Sequence, residues 1–348
     1  MRTRHFMLSA FILMVAMVTL AHESDADIGR WVQLDNGTTM STVWALEAGE
    51  RRLYAATNYG IFISQDRGRS WHSTAVEYFC PTITVDGTTV YAGTWGEGVF
   101  RSDDAGNTWK PIREGLRFQD LDGERYYGEV RRILVRFDEI VNVMYHRGTY
   151  VSPDRGETWH DVSMEWLAGN SIYSMTEFDG YLWSAISVDG MYRSSDNGRT
   201  WEYLPDFEPG RVNDWAVLYN RLYVAGQKGI GRWNEKTRGW EYLMKGLPTG
   251  TSQDPNDPPW AHDLAIHRGR LLAGLDRHGV YVFDFDTETW SSVGLDGISV
   301  RTLLSYRSTL YAGTTRNGIY RAGISTIHPH EKAVTMWARV KHRALAKD

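Results

Sequence analysis

With 348 residues and 42% apolar content, the chain is long enough for two ordinary domains or for one repeat array. Its formal charge of -5, with no basic stripe through the body, argues against a nucleic-acid partner. Cys80 is the only cysteine, which excludes an intramolecular disulfide and leaves stability to packing; a buried small residue is the expected role for it. Thirty-four glycines and nineteen tyrosines suit many short strands and tight turns, and no long stretch of the body has helical periodicity.

Residues 1–26 read as a secretory signal peptide. Arg2 and Arg4 precede an apolar run from Phe6 to Ala21, with small residues at Thr19/Ala21 and Ser24/Ala26 for cleavage. A retained membrane anchor needs about 20 apolar residues, and this run is shorter. No cysteine follows it to carry a lipid. A secreted or periplasmic protein is therefore expected, without a stable membrane span after cleavage.

The body repeats itself. Ser64 to Trp71 (SQDRGRSW) returns as Ser102 to Trp109 (SDDAGNTW), Ser152 to Trp159 (SPDRGETW) and Ser194 to Trp201 (SSDNGRTW), a pattern of S-x-D-x-G-x-[ST]-W. Its chemistry is that of a hairpin turn: Asp and Ser hydrogen-bond nearby backbone while Gly supplies a positive φ. The closing tryptophan, Trp71, Trp109, Trp159 or Trp201, starts the next strand and offers a large face to bury between sheets. Upstream of each turn lies a second signature, such as Leu53-Tyr54-Ala55-Ala56-Thr57 with Gly60-Ile61-Phe62. It occurs in seven units, the last being Leu310-Tyr311-Ala312-Gly313 with Gly318-Ile319-Tyr320.

Trp71, Trp109, Trp159, Trp201, Trp240 and Trp290 follow successive units at roughly 40 to 50 residues, the spacing of a four-stranded blade. The seventh unit has no tryptophan after it, but Trp31 lies 40 residues before Trp71 in a strand-like segment. Residues near 29–35 are thus expected to supply the outer strand of the last blade and close the ring. The fold class expected is all-β, a seven-bladed β-propeller over residues 27–325.

In the first unit, residues 42–46, 53–57 and 61–64 read as successive strands, with the outer strand starting at Trp71. Asp86-Gly87 and Asp179-Gly180 mark hairpins between the first two strands of their blades. Units five and six change the turn, to Asn234–Trp240 and Asp284–Trp290, and look more like the kelch-type turn while keeping the tryptophan. Two long loops, residues 112–129 and 244–262, join one blade to the next. Long loops on one rim are where function is expected. Residues 326–348 form a basic tail, possessing the spacing of a short amphipathic helix at Val334, Trp337, Val340 and Ala344.

The four perfect turns resemble the Asp box, or BNR repeat, of sialidase-like β-propellers. That resemblance implies a structural role for Asp66, Asp104, Asp154 and Asp196, and places these turns on the face opposite the usual binding site. In size and blade number the chain is similar to the photosystem II assembly-factor family, and its hairpins are similar to those of sortilin-type receptors; the first similarity implies a partner-binding surface. The opposite face would gather Trp95, Glu97, Tyr126, Tyr127, Asp189 and Arg211. Trp260, Asp276, Arg277, His278 and Arg316 would join them, aromatic residues beside charges as binding surfaces have.

The catalytic set of the resembling hydrolases is missing. The first sialidase arginine sits in an Arg-Ile-Pro segment, and Arg30, Arg51 and Arg52, which precede Ser64, are not followed by Ile-Pro. Xyloglucanase-type enzymes set their acids between two propellers, and one is expected here. Glu97, Asp189 and Asp276 remain the mouth carboxylates for an alternative glycoside hydrolase. His262, His267 and His278 lack metal-ligand spacing, and Asp120–Glu124 matches only part of a calcium loop. The expectation is an exported, non-enzymatic and monomeric scaffold that binds a protein or glycan without metal or cofactor.

Overall fold

The computed structural model describes residues 28–34, 42–136, 139–144, 148–162, 172–186, 190–204, 211–249 and 258–324. The compact unit that carries the fold is Trp31–Ala322; the chain ends form a second unit, of which only residues 28–30 and 323–324 are described. The segments read as a signal peptide and as a basic tail lie outside the described residues, apart from their borders. No helix occurs among the described residues, and so none is long and apolar enough to cross a membrane.

Seven four-stranded antiparallel sheets make a seven-bladed β-propeller. Their innermost strands are Val43–Ala48, Thr82–Asp86, Val130–Arg136, Ile172–Phe178, Val212–Leu218, Ala261–His267 and Val300–Tyr306. Each touches the innermost strand of the next blade, and the seventh touches the first, so the circle is complete. Six sheets run in chain order, whereas the last has Ile28–Gln33 on its outer edge beside Ile319–Ile324. Within the compact unit the Leu34 amide donates to the Ile319 carbonyl at 2.9 Å and the Trp31 indole to the Val293 carbonyl at 2.9 Å. The N-terminal segment closes the ring as its strand-like pattern implied, which pairs a sheet edge that would otherwise stand open.

The second strands are buried on both faces, as in Leu53–Thr57 and Thr89–Gly93. Their sequences are accordingly continuous apolar runs of small and aromatic residues, since a sheet covered on both sides has no polar face to present. Small size matters at the seam. A Cβ on Gly313 would meet Val43 Cγ1 of the first blade at 2.7 Å, a distance that would push the two blades apart.

The repeated turn is a closed hydrogen-bond system. In the second blade the Gly106 amide donates to Ser102 Oγ at 2.7 Å, Ser102 Oγ donates to Asp104 Oδ1 at 2.8 Å, and the Thr108 amide and hydroxyl donate to Asp104 at 2.8 and 2.7 Å. Asp66, Asp154 and Asp196 make the same bonds. The Thr108 amide and hydroxyl, with Ser102, hold the Asp104 carboxyl down to about 2. In blades five and six the substitute turn works differently: Asn234 Oδ1 accepts from the Lys236 and Thr237 amides, and Asp284 Oδ1 from those of Asp286 and Thr287.

The tryptophans that close the four repeated turns are not equivalent, contrary to the expectation that all four are buried between sheets. Trp71, Trp109 and Trp201 are partly buried and donate to the glycine carbonyl of their own turn. Trp159 and Trp290 are 3% exposed and donate instead to the preceding blade, at Ile112 O and Leu243 O. Their amides also bond to Glu114 O and Lys245 O at 2.8 Å. Both contacts need the glycine that follows: at Gly115 a Cβ would lie 2.0 Å from Trp159 O, and at Gly246 2.2 Å from Trp290 O. The physical reason for the difference is the start of each long connecting loop, which folds back over the next blade and covers its tryptophan.

Burial ranks these residues. Trp159→Ala should cost about 3 to 5 kcal/mol by opening a cavity in the core, and Trp109→Ala less than half as much. Urea denaturation of both variants measures this; equal midpoints would show that the loop does not seal Trp159.

Candidate functional site at the mouth of the ring

In six blades the innermost strand skips one residue in its pairing with the second strand. The skipped residues are Trp44, Arg131, Tyr173, Asn213, His262 and Arg301. The second blade pairs without a skip. Before the skip sit buried Val43, Val130, Ile172, Val212, Ala261 and Val300, and soon after it the strand returns to core residues such as Leu46, Ile133 and Leu264. A bulge of this kind re-aims one side chain while keeping its neighbours in register with the core. All six skipped residues line a central channel of about 310 Å³ between the inner strands. Five of them also line a wider cavity of about 590 Å³ at its mouth.

The rest of that wider cavity comes from segments joining one blade to the next and from the loop at Trp95. They contribute Phe79, Trp95, Tyr126, Gly128, Glu129, Arg211 and Trp260. These segments lie at the opposite strand ends from the Ser-Asp turns. Trp44, Phe79 and Trp95 form a strip, with ring centroids 5.1 and 5.4 Å apart. The Trp95 indole donates to the Tyr126 hydroxyl. Tyr126 belongs to a hairpin, Gln119–Leu121 with Glu124–Tyr126, inside the first long loop. Asp120 Oδ1 accepts from the Gly123 amide at 2.8 Å there, so the fragment resembling a calcium loop is the turn of this hairpin.

Three guanidinium groups meet at the mouth. Arg131 pairs with Glu129 at 3.0 Å and stands 5.4 Å from the Tyr173 ring centroid. Arg211 lies 4.4 Å from the same ring, and Arg301 lies 4.2 Å from the Trp44 ring. Burial pushes the Arg301 pKa down, helped by the positive charge of Arg211 and opposed by Asp276. Burial raises the Glu129 carboxyl, with Arg131 and Arg211 acting against it. Asp276 goes the other way: His262, 3.5 Å away, and the Ser299 hydroxyl at 2.7 Å hold it at about 2. His262 is kept neutral chiefly by its burial. Among the described residues no three His, Cys, Asp or Glu side chains converge to hold a metal ion.

Deeper in the channel, the residue after the bulge ties one blade to the next in blades five, six and seven. Asp214 Oδ2 accepts from the Leu264 amide at 3.1 Å, Asp263 Oδ2 from the Leu303 amide at 2.5 Å and Thr302 Oγ1 from the Leu46 amide at 3.3 Å. Burial and the neighbouring Asp214 raise the Asp263 carboxyl. Glu47 is raised to about 7, chiefly by burial and against the pull of Arg132.

Of the residues singled out from the sequence, Trp95, Tyr126, Arg211 and Trp260 line the mouth cavity together. Asp276 stands behind His262. Glu97 does not point into the cavity's wall but pairs with Arg113 at 2.8 Å. Tyr127, expected on the open face, is 4% exposed and packs in the core with Val130 and Trp159, because Tyr126 takes the outward position of that strand pair. Arg277, His278 and Arg316 are not among the residues lining the mouth. Asp189 lies outside the described residues. Sequence reading placed function on loops and so overlooked Trp44, Arg131, Tyr173, Asn213 and Arg301. Aligning the seven units on the buried residue that opens each inner strand would have found them one position later.

No family model and no curated protein matches this sequence. Solved structures do match in fold. The GH74 xyloglucanase of Xanthomonas campestris has 16% identity and a TM-score of 0.66 over 86% of this chain, which spans 54% of the enzyme. The extracellular domain of a putative hybrid two component system of B. thetaiotaomicron has 14% identity and a TM-score of 0.67, over 85% of this chain and 42% of that one. YCF48 from Cyanidioschyzon merolae has 13% identity and a TM-score of 0.63, over 85% of this chain and 99% of its own. The class these comparisons and the sheet topology define is the seven-bladed β-propeller, with both enzymes and binding proteins among its structural neighbours.

The channel acid yields a pH test. Glu47 titrates near 7 in the folded chain against 4.5 for an ordinary carboxyl, so the folded state holds the proton more tightly. Its contribution to stability therefore falls as pH rises from about 4.5 through about 7. Glu47→Gln should gain in melting temperature relative to the wild type across that window. Parallel melting curves from acid to neutral pH would contradict it.

Proposed function

We propose that this chain is an exported, non-enzymatic propeller of the Asp-box type that binds a protein or glycan partner through the face opposite its Ser-Asp turns. The observation that carries the reading is the repeated bulge, which turns six side chains of the inner strands to one channel and its mouth without a role in the core. Exposed Trp95 (52%) and Trp260 (38%) on the rim support it, since large aromatic side chains left open beside charges mark contact surfaces. The signal-peptide reading of residues 1–26 supports export, as do structural neighbours that are extracellular domains. One neighbour, YCF48, has been solved bound to a D1 peptide, a precedent for partner binding by a propeller of this size. The basic tail, residues 326–348, is assigned no part in the surface.

The mouth carboxylates favour binding over hydrolysis. Glu129 is held by Arg131 and Asp276 by His262 and Ser299, so each is already engaged. A glycoside hydrolase is the second reading, and one observation favours it: Glu129 is raised while Asp276 is lowered, the division of proton affinity that an acid and its partner carboxylate have.

Glycan and peptide arrays probed with the wild type and with the Trp95→Ala/Trp260→Ala double variant separate these. The expected outcome is a ligand that the double variant binds at least tenfold more weakly and that the wild type leaves chemically intact. A ligand bound equally by both would move the surface elsewhere, and turnover abolished by Glu129→Gln would make the protein an enzyme.

A further inference from the structure

The mouth combines features that narrow its ligand. Arg131 has Glu129 as a counter-ion, but among the described residues no carboxylate comes within ion-pair distance of Arg211 or Arg301, and the buried Nε atoms of both lack a hydrogen-bond partner. Among the described residues three guanidiniums line this cavity with one carboxylate, Glu129, while Asp276 stands behind it between His262 and Arg277, in a protein whose formal charge is -5. Gathering cations in a half-enclosed, aromatic-walled cavity costs desolvation and mutual repulsion, which an anion placed between them would relieve.

The walls define the remainder of the ligand. Among the described residues no aliphatic side chain lines the cavity: its apolar surface is the aromatic strip Trp44, Phe79 and Trp95 with Tyr126 and Trp260, and its polar groups include Asn213 and His262. An apolar peptide side chain would find no aliphatic pocket among the described residues. A sugar ring, with flat C–H faces and hydrogen-bonding edges, matches both surfaces. The three rings are tilted to one another by 57° and 54°, so a sugar ring stacks on one of them at a time, with the Arg301 guanidinium standing beside it over the neighbouring Trp44 ring at 4.2 Å. A carboxylate carried directly on the sugar ring, as in a uronic acid, brings the anion to the guanidinium groups while a ring face stays on an aromatic side chain.

We propose that the mouth binds a uronic-acid saccharide, its carboxylate held by Arg301 and Arg211 and a ring face stacked on Trp95. This rests on the reading of the mouth as a binding surface and specifies the ligand.

The test is calorimetric titration of the full-length mature protein with trigalacturonate, its methyl ester, 3′-sialyllactose and a hexapeptide with a free C-terminus. Saturable binding of trigalacturonate is expected, weakened at least tenfold by esterification and by Arg301→Gln, and unchanged by Lys236→Gln on the opposite face. Arg211→Gln is titrated in parallel, with circular dichroism on each variant, so that a folding defect in one still leaves a readable result. Failure of trigalacturonate to bind, equal binding of the ester, or a preference for the sialoside or the peptide would overturn the proposal. If the arrays meanwhile yield another ligand lost in the Trp95→Ala/Trp260→Ala variant, the binding surface stands and only the uronic acid is wrong.

Discussion

One skipped residue in the innermost strand, repeated around the ring, is the constraint on which the site depends. A strand with a strict period of two that buries Val43 and Leu46 would be out of step by one, since those positions are three apart. The bulge absorbs that extra residue, and the side chain it releases has nowhere to go but the channel. Six blades therefore deliver Trp44, Arg131, Tyr173, Asn213, His262 and Arg301 to a shared space. The blade scaffold is fixed by the residues on either side, which leaves the released position chemically unconstrained. That is why one fold can present arginine, histidine, asparagine and two kinds of aromatic ring at equivalent places.

The same division of labour separates the two faces. On one, each Ser-Asp turn satisfies its own donors and acceptors, and Asp66, Asp104 and Asp154 are held near 2 by those bonds. Groups so fully engaged have little left for a partner. On the other, the guanidinium groups of Arg211 and Arg301 are packed against aromatic rings instead of carboxylates, so their charge stays available. Between the faces, buried carboxyls such as Asp214 and Asp263 give their oxygens to the next blade's amides, which joins the inner strands where no sheet hydrogen bond can.

The long connecting loops serve both ends of this arrangement. At its start the first folds back through Gly115 to cover Trp159; at its far end it brings Tyr126 and Glu129 to the mouth. The second begins in the same way at Gly246 over Trp290, and it ends by presenting Trp260. The sealing of the outer tryptophans and the shape of the mouth are thus coupled within single segments, and each enlarged loop is anchored at the outer edge of the blade it leads into.

Blade number, the turn chemistry and the closing role of Trp31 were legible in the sequence because each is local and periodic: a hairpin turn needs its Ser, Asp and Gly at fixed spacing wherever it occurs. Trp95, Tyr126, Arg211 and Trp260 were also within reach, since loop position alone assigns them to a face. The sequence did not determine which tryptophans are sealed, as the cover over Trp159 comes from residues 47 positions earlier. Nor did it reveal Arg131 and Arg301, which sit inside strands that read as core. Only the tertiary structure decided their direction, because a bulge is a property of how two strands pair, and the meeting of three arginines is a property of how the ring closes.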